Sequence, residues 1–104
     1  MAGTPFGWID ARVLREGWVR LLAPEAIAVY TFLCVVANHD GVSYYRRDRI
    51  GLELGLSDAT VHASLERLKA LDLVAYVPFH AHAADGFHQV LALPSGGPPG
   101  GAGA

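Results

Sequence analysis

The sequence predicts a mainly helical domain closed by a small antiparallel sheet, an α+β fold. Three observations carry that prediction. The apolar segment 24–37 opens on a proline and is long enough for a helix. The stretch 46–71 shows two helical patterns separated by Gly55. After Asp72 the period changes. The runs 73–79 and 87–93 are rich in β-branched, aromatic and long apolar residues, and Asp85-Gly86 supplies a turn between them.

Composition bounds the rest. With 104 residues the chain holds one domain and one modest core. A hydrophobic share of 52% against 17% charged excludes disorder for most of it. Eight Lys and Arg against ten Asp and Glu give a net charge of -2, which excludes a bulk-basic nucleic-acid coat. Contact with nucleic acid would need a local patch. Cys34 stands alone, so no intramolecular disulfide forms, as suits a reducing cytoplasm. The most apolar run, 26–37, is too short to span a bilayer, and the start of the chain lacks a secretory pattern. A soluble, cytoplasmic protein is expected.

Taken in order, Phe6, Trp8 and Ile9 suit a short strand, and 11–20 suits a helical turn that Gly17 weakens. Pro24 fits the first helical position, with Glu25 at the positive end of the dipole. Ile27, Val29, Val35 and Val36 would also allow a strand, but length and the proline start favour helix. Apolar on all faces, this helix must be covered on nearly all sides, by its own domain or by a second copy of the chain. Cys34 inside it reads as a buried structural thiol. Trp8 and Trp18 read as core or interface residues. Asn38-His39-Asp40-Gly41 ends the helix as a turn, with His39 at the helix end.

Residues 42–45 suit a short strand. Residues 46–54 suit a helix with Ile50 and Leu54 inward, and Gly55 supplies the left-handed residue after it. Ser57 is a natural N-cap and Asp58 opens a third helix whose inner stripe is Val61, Leu65, Leu68 and Leu71. The domain then covers 1–93, and the Gly/Pro-rich 94–104 is expected to be a flexible tail.

Function concentrates between 46 and 68. Gly51 lets two short helices approach and Gly55 bends the chain, so the second helix is braced with one face outward. A helix of that width fits the DNA major groove. The Leu54-Gly55-Leu56-Ser57 turn, Thr60-Val61, Leu65, Leu68 and the exit Leu71-Asp72-Leu73-Val74 resemble bacterial winged helix-turn-helix regulators. The segment 41–57 also resembles plasmid and phage replication initiators. The resemblance implies a double-stranded DNA-binding protein of transcription or replication, with 57–67 as recognition helix and 73–93 as wing.

On that reading Asp58, Ala59, His62, Ala63, Glu66 and Arg67 face outward. Ser57 and Thr60 offer hydroxyls to phosphates, His62 reaches for a base edge, and Arg46, Arg47 and Arg49 grip the backbone. The departures are Ala63 where relatives often carry a cation, acidic Asp58 and Glu66, and a wing loop without Lys or Arg. His80, His82 and nearby His88 would charge it only on protonation, at an ordinary pKa of about 6.5.

Two further readings stand beside this one. A winged helix can dock another protein, and the near-neutral charge suits that. His80, His82 and His88 have a spacing that a metal or a pH switch could use. No catalytic constellation is present, so neither an enzyme nor a cofactor is expected.

Overall fold

The computed structural model describes residues 9–38, 41–78, 81 and 86–99. Phe6, Trp8, His39, Asp40, His80, His82 and Asp85 lie outside the described residues, and so do the strand, turn, tail and metal expectations that rest on 1–8, 39–40, 79–80, 82–85 and 100–104.

The chain is mainly helical, with a three-stranded antiparallel sheet. Ile9 is not in a strand and is exposed. The single helical turn expected over 11–20 is two short pieces, α1 (Arg12–Arg15) and a 3-10 helix (Trp18–Leu21), with the break at Gly17. Asp10 starts α1 by accepting the Arg12 amide at 2.9 Å. Trp18 is fully buried, and its ring N–H donates to Glu16 at 3.2 Å.

Helix α2 (Pro24–Val36) begins on its proline, with Glu25 in the first turn. It is the central element and packs on α3 (Arg47–Leu54), α4 (Asp58–Ala70) and β3 (Gly86–Val90). Ala26, Val29, Tyr30, Leu33 and Cys34 are buried, while Val35 is 53% exposed. Ile27 and Phe32 on its flanks are partly buried against the core, so the helix is covered on nearly all sides and leaves Val35 open among the described residues. Burial pushes the Cys34 thiol up to about 11, as an inert core thiol requires.

Beyond α2, the Gly41 amide donates to the Asn38 carbonyl at 2.9 Å, and the Val42 amide donates to the Asn38 side chain at 3.0 Å. Strand β1 (Val42–Ser43) is shorter than the expected 42–45, because Tyr45 turns inward to meet Phe32 of α2 edge-on at 5.0 Å. Arg46 is the extended N-cap residue of α3 and Arg47 the first helical one.

Strand β2 (Val74–Pro78) and β3 form the hairpin, and the sheet order is β1-β3-β2. Ser43 and Tyr76 flank His88 from the two neighbouring strands. The third strand ends at Val90, short of the expected Leu93. The Leu91 amide still reaches the Leu73 carbonyl at 3.0 Å, and Leu93 is the last buried residue among those described. Among the described residues no helix is long and apolar enough to cross a membrane.

The core joins Trp18, Val29, Leu33, Ile50, Val61, Leu65, Leu68 and Leu73, all at most 1% exposed. Each such side chain contributes about 1.5–3 kcal/mol of transfer free energy. Three of them lie on one face of α4, which seats that helix on α2 with its opposite face outward.

Candidate nucleic-acid interface

The candidate interface is built on the α3–α4 corner. Gly55 has φ of +70° and ends α3 in the left-handed region. The Leu56 amide then donates to the Gly51 carbonyl at 2.9 Å. Ser57 caps α4: its Oγ accepts the Thr60 amide at 3.2 Å and donates to Thr60 Oγ1 at 2.9 Å. The two hydroxyls expected to meet phosphates therefore hold each other in the free protein.

All the outward positions read from the sequence are outward. Asp58, Ala59, His62, Ala63, Glu66 and Arg67 are exposed, and Thr60 is half-buried. Ala59, His62, Ala63 and Glu66 follow helical spacing, so they form one ridge along α4. Open space lies on both flanks. One cleft, of about 590 Å³, separates α4 from the start of α3 and the hairpin, with Arg46, Arg47, His62, Tyr76 and His88 on its walls. The other, of about 500 Å³, lies toward the start of α2, between Thr60, Ala63 and Arg67 on one side and Leu21 and Glu25 on the other.

Arg46, Arg47 and Arg49 are exposed together at the start of α3. Arg47 reaches across the corner, its Nη1 donating to His62 Nδ1 at 2.7 Å. Arg49 pairs with Glu53 at 3.1 Å, and Arg46 approaches Asp48 at 3.9 Å. Exposed pairs of this kind are worth at most about 1 kcal/mol, so exchanging a carboxylate for a phosphate costs little. Arg67 behaves differently: its Nε donates to the Leu21 carbonyl at 3.1 Å, tying the far end of α4 to the 3-10 helix.

Glu66 stays acidic. The hydrogen bond from Lys69 holds its carboxyl below the ordinary range, and the charges of Lys69 and Arg47 act in the same direction. Lys69 also sits 5.9 Å from the Tyr76 ring centroid. The acidic position on the ridge is thus shadowed by an ammonium group.

The expectation for His88 is corrected. It is 5% exposed, lies between neighbouring strands, and packs against the Tyr76 ring at 5.2 Å. Burial, aided by the charges of Lys69 and Arg47, lowers its pKa to about 4. It therefore adds no charge to the hairpin near neutral pH, and its Nδ1 is buried without a hydrogen-bond partner. Among the described residues no group of three or more His, Cys, Asp or Glu could hold a metal ion.

Sequence reasoning missed Lys69, Tyr45 and Tyr76 beside this surface. The signal for Lys69 was available: it stands three residues after Glu66 and seven after His62 on one helix. The tyrosines carried no such signal, because only the chain path brings them there. Comparison with protein-family models, with curated proteins and with solved structures finds no match for this chain.

Proposed function

We propose that this chain is a winged helix-turn-helix protein that binds double-stranded DNA in a bacterial-type cytoplasm, as a small transcriptional regulator or replication-initiator-like factor. Helix α4 is the recognition helix and the β2–β3 hairpin the wing. The observation that carries this reading is the ridge of Ala59, His62, Ala63 and Glu66, standing between two open clefts with the exposed arginines of α3 beside it. A helix about 10–12 Å across matches a major groove about 12 Å wide. Ala59 and Ala63 keep the ridge narrow enough for base edges to approach.

Roles follow from position. Arg46, Arg47 and Arg49 contact phosphates, and Ser57 with Thr60 meets one at the start of α4. His62 meets a base edge. Arg67 places the helix through Leu21 and touches the backbone with its remaining donors. No cofactor enters this mechanism. Half-exposed Val35 suits a second copy of the chain, because paired domains read two half-sites.

One observation favours a second reading. Glu66 stays ionised on the ridge, which would repel phosphate and suits a protein partner carrying basic groups. The variant Ala63→Glu separates the two. It changes an exposed side chain, so the fold is expected to persist by circular dichroism. DNA retention in a gel shift is expected to fall at least tenfold. Undiminished retention by a folded variant would favour the protein-docking reading.

A further inference from the structure

We infer that Arg47 is a positioning residue that fixes the tautomer of His62, so that α4 offers a single N–H donor and reads the N7 acceptor of a purine. The inference rests on the DNA-binding reading and names the chemistry of its base contact. Arg47 Nη1 lies 2.7 Å from His62 Nδ1. A guanidinium has donors only and stays protonated. The contact is therefore a hydrogen bond only if Nδ1 carries the lone pair, which places the ring proton on Nε2.

The surroundings leave that donor available. His62 is exposed on the ridge, with Ala59 and Ala63 as its small neighbours. Glu66, one turn on and the nearest acceptor in helical register, already takes the Lys69 ammonium. Asp58, one turn back, turns its carboxylate toward the α3–α4 corner, where a Cβ on Gly51 would stand 3.8 Å from its Oδ1.

In the major groove a purine presents N7 as an acceptor, whereas cytosine presents an amino donor. Thymine carries its acceptor beside a methyl group, which crowds a ring as broad as imidazole. One donor cannot separate guanine from adenine, since both carry N7. A degenerate purine position follows, read by His62 with Arg47 behind it.

Two measurements on the full chain test this. The first is nitrogen-15 NMR of the His62 ring in the free protein above the imidazole titration range. Nδ1 is expected to be unprotonated and Nε2 protonated. In Arg47→Met the ring should move toward the tautomer mixture of an unrestrained imidazole, and Arg47→Lys, which keeps a donor, should restore part of the preference. A proton on Nδ1 in the wild-type chain, or no change in Arg47→Met, overturns the positioning role.

The second is a random-site selection, followed by binding to the selected duplex with 7-deazapurine at the purine position. Loss of N7 is expected to weaken the wild-type chain about tenfold and to leave His62→Ala unaffected. A selected site with cytosine or thymine in that place, or indifference of the wild-type chain to 7-deazapurine, overturns the base-edge assignment while leaving DNA binding in place. A selection that enriches no sequence overturns the DNA-reading role, and the base-edge half of this inference with it. The ring spectrum then still decides the tautomer half.

Discussion

Gly51 and Leu56 meet backbone to backbone at the corner between α3 and α4. The Leu56 amide donates to the Gly51 carbonyl at 2.9 Å, and a Cβ on Gly51 would stand 2.7 Å from the Leu56 carbonyl oxygen. That oxygen belongs to the main chain and cannot swing aside. The corner, and so the angle at which α4 is presented, is set by the absence of one methyl group.

Gly51→Ala is expected to destabilise the fold. Helix propensity favours alanine by about 1 kcal/mol, but forcing a methyl group into the closed corner costs about 1–3 kcal/mol and displaces α4. Gly55→Ala has free space, yet φ of +70° makes it unfavourable by about 1 kcal/mol. Gly55→Asn should recover part of that loss, and Gly51→Ser should recover nothing. Urea midpoints for the four variants check the ordering.

Ser57→Ala removes the cap of α4. A loss of about 1 kcal/mol is expected, because the Thr60 amide loses its acceptor. Ser57→Asp keeps an acceptor and should unfold close to the wild-type midpoint. Equal midpoints for Ser57→Ala and the wild-type chain would show that the cap contributes nothing.

His88 makes stability depend on acid. Its folded pKa is about 4 against 6.5 for the ordinary imidazole, so between those values the unfolded chain binds the extra proton and the folded chain does not. Stability is complete above about pH 6.5 and falls as the pH drops toward 4. The loss from this one group is on the order of 2–3 kcal/mol. His88→Phe keeps the ring against Tyr76 and should flatten thermal stability over that range. A slope as steep as the wild-type one would assign the acid sensitivity elsewhere.

Local chemistry was legible in the sequence. The Val61, Leu65, Leu68 and Leu71 stripe, the Ser57 cap, the left-handed Gly55 and the outward ridge each depend on residues within a turn or two. What the sequence hid depends on distant chain segments. Arg67 binds a carbonyl 46 positions earlier, and Arg47 meets His62 only because two helices cross at a fixed angle. In sequence, His88 reads as a strand histidine close enough to His80 and His82 to join their charge or metal chemistry. Pairing with β1 on one side and β2 on the other buries it. The exposure of Val35 on α2 was hidden for the same reason, since apolarity alone does not say how many neighbours arrive.

The most direct test of the central claim is the salt dependence of affinity for a double-stranded oligonucleotide, by fluorescence anisotropy. The logarithm of the association constant is expected to fall linearly with the logarithm of salt concentration, with a slope of about -0.9 for each phosphate contacted. Replacing Arg46, Arg47 and Arg49 together by alanine should make that slope shallower by about 2–3, one contact per arginine. A flat response in the wild-type chain, or the same slope in the triple variant, would contradict a DNA grip built on the α3–α4 corner.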